Sequence, residues 1–307
     1  MSTDAETPDP EAVDQPFWLS PASFWMPTHY PLSAWFTHAP FASWLVDSIR
    51  PRRIVELGTH LGFSCFAFAE AASRLGLPTT VDAVDSWEGD DHAGFYDESV
   101  FESVRTVVEQ DFPRTVVLNR GWFSDVRPRV ADQSVDILHI DGRHGYEDAT
   151  EDYEQWRSSV ADGGVILFHD IAERERGFGV WRLWEEIAEP GRSFFFEHGH
   201  GLGLLAVGDI RYKPISRLCG ADEETAAKIR GDFSRLGDRV HRQAWLESLP
   251  AELDRVNALA HERSLQIDQT AAALEAERQY VQTIKASTSW RITAPLRAVG
   301  KLRPHRA

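Results

Sequence analysis

The chain has 307 residues, of which 42% are apolar and eleven are tryptophan, and its formal net charge is −16. This size fits one large domain or one domain with an appendage, and the negative charge argues against a groove for nucleic acid, whose phosphates need cationic partners. The two cysteines, Cys65 and Cys219, form no C-x-x-C pair and support neither a zinc knuckle nor a disulfide framework.

The beginning of the chain is acidic and rich in proline, so we expect residues 1–16 to form a disordered tail. This stretch has no cationic segment of a secretory signal, and no apolar run in the sequence reaches the length of a membrane span. The expected location is therefore the cytoplasm.

Residues 17–50 form an aromatic-rich segment, in which nine aromatic side chains fall between Phe17 and Trp44. Prolines interrupt its first half, and a helix is predicted over residues 33–49. Two interpretations stay open: the aromatics are ordinary core packed on a sheet, or they form a lid over a ligand cleft.

The segment from Arg53 to Ser64 predicts a buried strand, a tight glycine turn and the start of a helix. Gly58 lets the backbone approach a ligand closely, and Gly62 lets the helix lie near the strand. The spacing E-x-G-x-x-x-G has one glycine fewer than a dinucleotide fingerprint, and Glu56 precedes the turn. Because Glu56 can accept a hydrogen bond from a cationic amine, the pattern suits S-adenosylmethionine, which has an amino-acid end and no phosphate. The alternative is an ordinary βα turn.

A second strand over residues 81–85 places Asp85 at its carboxyl end, beside the glycine turn. Its carboxylate can accept both hydroxyls of an adenosine ribose, and the structural alternative is a helix N-cap. The next loop begins with Ser86 and Trp87 and is polar and broken by glycines, which is typical of a functional loop. A third strand over residues 115–119 leads to Ser124, near where an adenine would lie.

The remaining pattern predicts a fourth strand from Val135, a fifth over residues 165–170 and a closing antiparallel pair over 193–197 and 202–207. Helices are expected between these strands. Such alternation predicts an α/β domain over residues 51–210, with a doubly wound sheet of seven strands that ends in an antiparallel hairpin.

Asp141 and Asp170 end neighbouring parallel strands, so both are expected to face one cleft. Hard divalent cations prefer oxygen ligands, and two carboxylates with water and a substrate diol would suit Mg²⁺. The cation would orient the diol and lower the pKa of one hydroxyl. His144, three residues after Asp141, is placed to take that proton before the hydroxyl attacks a methyl group.

Other interpretations of these residues stay open. His139 and Asp141, with His144 or His169, match the ligand types of a non-haem iron site, although His139 lies in mid-strand and is expected to face a helix layer. Asp141 and Asp170 are also suited to cap the helices that follow them, and His144 to bond a backbone carbonyl.

Residues 211–285 predict a helical extension, with helices over 221–246 and 249–285. One apolar series recurs at every seventh position, but the series three residues later is largely polar, so the pattern indicates only a weak coiled coil. The apolar series is Leu253, Ala260, Ile267, Leu274 and Val281.

Residues 286–307 form a basic tail, which together with Lys285 holds six Lys or Arg residues and no acid. These residues carry a charge of +6, and the rest of the chain carries −22. Such a tail can lie on an anionic membrane surface, here the inner face, or on a partner. A solvated, frayed terminus is the alternative.

Four motifs in this order resemble the class I S-adenosylmethionine-dependent methyltransferases. They are Val55 to Gly58 with Gly62, Asp85 to Asp90, His139 to Glu147, and Gly163 to Asp170. More narrowly, they resemble the subgroup that includes macrolide-sugar O-methyltransferases, cephalosporin-hydroxylase-like proteins and enzymes of bacterial surface-glycan clusters. The resemblance covers about residues 40–208, and the D-G-x-H-x-Y-E and H-D motifs are its more specific part.

The resemblance implies a Rossmann-like methyltransferase fold. It implies cofactor contacts at Glu56, Gly58 and Asp85, and we add Gly62, Ser86, Trp87 and Ser124 as cofactor-binding candidates. It also implies Asp141 and Asp170 as metal ligands with His144 as the base, and a third metal ligand for which Asp90 and Asp91 are candidates.

The predicted function is a metal-assisted O-methyltransferase that uses S-adenosylmethionine and Mg²⁺ to methylate a sugar hydroxyl of a bacterial glycan or a glycosylated metabolite. The segment from Ser287 to Arg297 resembles the end of many bacterial polysaccharide glycosyltransferases, which favours a glycan acceptor. The alternatives are a nicotinamide-dependent oxidoreductase and a non-catalytic component of a glycan-assembly complex. The sequence leaves the oligomeric state open, a homo-oligomer included.

Overall fold

The structure, a computed structural model, describes residues 16–90 and 94–300, apart from the side chains of Asp90 and residues 298–300. Nearly all of the predicted disordered tail and the last residues of the basic tail thus lie outside the described residues. The chain divides into two compact units between Leu246 and Glu247. No helix in the described ranges is both long and apolar enough to cross a membrane.

Strands and helices alternate along the first unit. The strands are β1 (Arg53–Leu57), β2 (Thr80–Asp85), β3 (Gly89–Asp90), β4 (Gly94–Phe95), β5 (Val116–Arg120), β6 (Val135–Ile140), β7 (Val160–His169), β8 (Ser193–Phe196) and β9 (Leu202–Ala206). The α-helices are α1 (Ala39–Ile49), α2 (Phe63–Arg74), α3 (Glu98–Asp111), α4 (Phe123–Val126), α5 (Tyr146–Trp156), α6 (Val180–Ile187), α7 (Lys213–Cys219), α8 (Glu223–Ala286), α9 (Thr288–Ile292) and α10 (Ala294–Gly300).

Seven strands form one sheet in the order β5-β2-β1-β6-β7-β9-β8. The first five in this order are parallel, β9 is antiparallel to β7, and β8 is antiparallel to β9. The predicted α/β fold, a Rossmann-like doubly wound sheet with an antiparallel final hairpin, is therefore confirmed. The strand order reverses between β1 and β6, which is where such sheets bind ligands at the carboxyl ends of their strands.

Alternate side chains of the central strands enter two separate cores. Ile54 and Ile137 lie in the core that also contains side chains of α1, α2 and the first part of α8. Val55 and Leu138 lie in the core formed with α5 and α6. Both faces of the parallel sheet are therefore covered, which explains the nearly continuous apolar runs of β1 and β6.

Several element boundaries differ from the sequence prediction. The helix expected over residues 33–49 begins only at Ala39, because Phe36–His38 form a 3-10 turn and Pro40 occupies the first turn of α1. The helix expected over residues 101–110 is α3, and it starts earlier, at Glu98, where the Asp97 side chain accepts a hydrogen bond from the backbone N–H of Ser99. The loop after β2, expected to be irregular, contains the short antiparallel pair of β3 and β4.

The helical extension also differs in its layout. The two helices expected over residues 221–246 and 249–285 form the single helix α8, which contains Pro250. The first compact unit continues to Leu246, beyond the predicted domain end at 210. Leu253, Ile267 and Leu274 of the seven-residue series are exposed, and the coiled coil stays a prediction.

Candidate active site

A cavity of about 520 Å³ lies at the carboxyl edge of the sheet. It lies within the size range of sites for small molecules and cofactors. Its lining comes from the loops after β1, β2, β5, β6 and β7, from α5, and from the segment Leu32–Trp35. The predicted convergence of the strand-end loops on one crevice is therefore what the structure shows.

The loops after β1 and β6 touch at Gly58. Its backbone has φ +91°, and a Cβ built there would lie 1.9 Å from the carbonyl oxygen of Asp141. The backbone N–H of Asp141 in turn donates to the carbonyl of Leu57 at 2.9 Å. A residue with a side chain does not fit at Gly58, and this contact brings the glycine turn and the Asp141 loop together.

Asp85 lies at the end of β2 and lines the cavity. One carboxylate oxygen accepts from the backbone N–H of His60 at 2.8 Å, and the other from that of Trp87 at 2.7 Å. Burial raises the pKa of Asp85, although these two hydrogen bonds act in the opposite direction. The two contacts orient the carboxylate, and each oxygen keeps a second lone pair for a ligand hydroxyl.

Asp141, His144 and Asp170 meet at the edge of the cavity. One ligand atom from each lies within 4.8 Å of the others, a grouping that could hold a metal ion. His144 Nε2 is 3.0 Å from Asp170 Oδ2 and 3.8 Å from Asp141 Oδ1. The His144 ring is stacked on Phe178, with centroids 4.5 Å apart.

The charges of this group depend on one another. Burial disfavours the charge of His144, but its hydrogen bonds to Asp141 and Asp170 outweigh it and raise its pKa to about 9. Burial likewise disfavours ionisation of both carboxylates, yet the charge of His169 and the bonds from His144 hold the pKa of each below its usual range. The group is therefore built to keep two carboxylates ionised within a mostly buried site.

His169, at the end of β7, contacts both of these carboxylates. Its Nδ1 lies 3.2 Å from Asp141 Oδ1 and 3.3 Å from Asp170 Oδ2, and its Nε2 lies 3.0 Å from the carbonyl oxygen of Gly199. Because Nε2 faces a carbonyl and Nδ1 faces carboxylates, both nitrogens donate, as they do in the charged ring. His38 Nε2 lies 3.0 Å from the same carbonyl, which connects the aromatic-rich segment to the site.

Five of the predicted cofactor-binding residues line the cavity, and two do not. The five are Gly58, Gly62, Asp85, Ser86 and Ser124. Glu56 lies instead inside the sheet, fully buried, with Oε1 3.1 Å from His139 Nδ1. Trp87 is buried and donates its Nε1–H to the carbonyl of His60 at 2.9 Å. It therefore supports the glycine turn and does not line the cavity.

The candidates for a third metal ligand lie outside what the structure describes, since Asp91 and the side chain of Asp90 are not among the described residues. The iron-site alternative needs His139 beside Asp141. His139 faces Glu56, Trp35 and Phe68 instead, and it is not part of the group that could hold a metal ion among the described residues. The expectation that His139 faces a helix layer is met.

Asp152, a half-buried carboxylate of α5 that lines the cavity, is not among the residues predicted from the sequence. Burial and the charges of Asp148 and Glu151 raise its pKa to about 7. A Cβ built on Gly142 would lie 3.0 Å from Asp152 Oδ2. The available signal was the spacing of Asp148 and Asp152, which places both on one helix face just after the Asp141 loop.

Residues 55–171 match a family model described as a methyltransferase domain. The uncharacterised protein y4gI of Sinorhizobium fredii is 38% identical over 278 residues, and the match covers 89% of this chain but only 30% of that protein's length.

Two solved structures are also similar. One is an O-methyltransferase from Bacillus cereus in complex with SAH, with TM-score 0.44 and 20% identity over 58% of this chain and 83% of that one. The other is the O-methyltransferase TomG from Streptomyces achromogenes, involved in tomaymycin synthesis, in complex with SAM, with TM-score 0.44 and 19% identity over 59% and 83%.

The family match covers β1 to the end of β7, which includes the Gly58 turn, Asp85, Asp141 and Asp170. These are the residues whose loops converge on the cavity. Residues 55–171 therefore match a methyltransferase domain, and the match spans the part of the fold that carries the cavity.

Proposed function

We propose that this chain is a metal-assisted O-methyltransferase that transfers a methyl group from S-adenosylmethionine to a sugar hydroxyl of a bacterial glycan or a glycosylated metabolite. One observation carries the proposal: Asp141, His144 and Asp170 converge on the cavity that Gly58 and Asp85 also line. A donor site and a proton-accepting site thus share one crevice.

The donor side fits S-adenosylmethionine. Gly58 has no side chain, and one there would clash, so its backbone stays accessible to a ligand. The oriented Asp85 carboxylate is suited to ribose hydroxyls. Gly62 is the N-cap of α2, whose N-terminal N–H groups favour a carboxylate such as that of the methionine end. When bound, the cofactor supplies a methyl group activated by the positive charge on sulfur.

The other side fits a hard divalent cation, because Asp141 and Asp170 offer carboxylate oxygens. When bound, such a cation lowers the pKa of a hydroxyl that it coordinates. His144 is the group placed to accept the proton of that hydroxyl. With both carboxylates facing it, the pKa of His144 is raised to about 9. A bound cation would share the negative charge of the carboxylates, and this would lower the pKa of His144 again.

The rim of the cavity supports a carbohydrate acceptor. Trp122 lines it and is 46% exposed, and the Arg143 guanidinium lies 5.4 Å from the centre of its ring. Asp148 and Glu151 also line the cavity and can accept hydrogen bonds from several hydroxyls. An exposed aromatic face beside hydroxyl acceptors fits a sugar ring better than a purely apolar acceptor.

The test is calorimetric and kinetic. We expect S-adenosylmethionine to bind with saturable heat with or without EDTA, and EDTA to abolish transfer of a labelled methyl group to glycosides with a free vicinal diol. Asp170→Asn should lower transfer at least a hundredfold and leave cofactor binding within about threefold, since it removes only the cation's ligand.

Asp125→Asn is the matched control, because Asp125 is exposed on α4 and does not line the cavity. Its activity should equal that of the unmodified chain. Full transfer in EDTA would refute the metal step, methylation of a catechol but of no glycoside would refute the acceptor class, and a thermal shift with NAD but none with S-adenosylmethionine would refute the donor.

A further inference from the structure

We propose that the basic tail binds the surface of a lipid bilayer that contains anionic headgroups, and that its described residues 286–297 make the contact. The described part of the tail comprises α9 and α10, which follow the long helix α8. This binding does not depend on the methyl-transfer reaction, and it would keep the protein at a membrane surface.

The tail presents large apolar side chains to solvent. Ile292 is 72% and Leu296 74% exposed, and they lie four residues apart. Trp290 is 38% exposed just before them. Exposed aliphatic side chains of this size gain free energy when they enter the boundary between headgroups and acyl chains.

Cations lie among these apolar residues. The Arg297 guanidinium is 3.8 Å from the centre of the Trp290 ring, and its Nη1 donates to Thr293 Oγ1 at 2.6 Å. Arg291 lies between Trp290 and Ile292 in the chain. Indole rings and arginine side chains both favour the headgroup level of a bilayer, the first through its amphipathic ring and the second through its charge.

The charge of the chain is strongly segregated. From Lys285 to the end there are six Lys or Arg residues and no acid, and the rest of the chain carries −22. An anionic surface therefore attracts this segment and repels the remainder, and each basic residue near such a surface strengthens binding about fivefold.

The combination of charge and exposed aliphatic residues selects a membrane among anionic partners. Nucleic acid would use the cations but offers no apolar phase for Ile292 and Leu296. The contact is with the surface, since no helix of the described ranges can cross a membrane.

The experiment is cosedimentation of the full chain with vesicles of phosphatidylcholine, with or without phosphatidylserine. We expect binding only with phosphatidylserine, and weaker binding as salt is raised. Arg291→Gln with Arg297→Gln should weaken binding about 25-fold, from two lost charges. Ile292→Ser with Leu296→Ser should weaken it at least tenfold, because the apolar contribution is lost.

The matched control is Arg255→Gln with Leu259→Ser, an exposed pair on α8, which should bind like the unmodified chain. Equal binding to neutral vesicles, or equal loss in control and tail variants, would overturn the proposal. So would a dimer, seen by sedimentation velocity without lipid, that the arginine substitutions abolish, because the tail's partner would then be a second copy. Methylation of a soluble acceptor should be unchanged in all tail variants, so failure here is distinguishable from failure of the proposed reaction.

Discussion

Asp152 shows how burial changes the chemistry of a single residue. The side chain ordinarily ionises near pH 3.8, but in the folded chain burial and the charges of Asp148 and Glu151 raise its pKa to about 7. The folded state therefore binds its proton more tightly than the unfolded state. Ionisation of Asp152 costs stability progressively as the pH rises from about 4 through 7, and the loss is complete above that window.

Asp152→Asn removes this cost and should stabilise the fold by about 1–3 kcal/mol at pH 8, with little effect at pH 4. The figure lies below the full value of the shift because solvent reaches the cavity wall. Urea unfolding at both pH values measures it. Glu154→Gln, an exposed change on the same helix, should show no such pH dependence, and an equal gain at both pH values would contradict the assignment.

Glu56 is a buried carboxylate whose position differs from the one that its sequence context suggests. A carboxylate just before a glycine turn suggests a cofactor contact, yet its Oε1 faces His139 and neither side chain is exposed. Glu56 Oε2 and His139 Nε2 have no hydrogen-bond partner among the described residues. The role that the structure supports for Glu56 is to partner a buried histidine within the sheet.

At the scale of elements, the active edge depends on contacts between loops. Gly58 packs against the Asp141 carbonyl with φ +91°, and Asp170 follows β7 with φ +62°, a left-handed conformation unusual for a residue with a side chain. Non-glycine residues held in this region cluster at functional sites, where the surrounding structure supports the strain.

Gly58→Ala should therefore do more than add backbone strain. Its Cβ would lie 1.9 Å from the Asp141 carbonyl oxygen, so the two loops must separate, and we expect a loss of about 2–4 kcal/mol in the free energy of unfolding. Cofactor binding should weaken in parallel.

Gly76→Ala provides the comparison, since Gly76 also has positive φ, +64°, but a Cβ there meets nothing within 4 Å. Only the left-handed penalty of about 1 kcal/mol is expected. Denaturant unfolding of both variants measures the difference, and equal losses would show that the contact with Asp141 is unimportant.

At the scale of the whole molecule, helix α8 has two different parts. In the first compact unit, its buried residues include Ile229 and Phe233, and Phe233 packs edge-on against Phe41 and Phe196. In the second unit, residues of the same helix such as Leu253 and Leu259 are exposed. The α/β fold therefore includes the helix up to about the unit boundary.

Phe233→Ala should cost about 3–5 kcal/mol, because it opens a cavity in the core that covers one face of the sheet. Leu259→Ala should change stability by less than about 0.5 kcal/mol. Thermal or urea unfolding compares the two, and a small effect of Phe233→Ala would show that α8 is not part of the folded core.

Much of this molecule follows from the sequence alone. Apolar runs between glycine and proline signals predict the strands, and connectivity places Gly58, Asp85, Asp141 and Asp170 at strand ends that share one edge of a parallel sheet. The strands and their shared edge can be predicted because they depend on local patterns and on the chirality of the chain.

Only the tertiary structure decided which side chains face each other across that edge. Glu56 meets His139 because β1 pairs with β6 in one register, and Asp152 is half-buried because α5 brings its carboxylate close to Gly142. Burial and through-space charge come from residues far apart in the chain, so no local pattern encodes them.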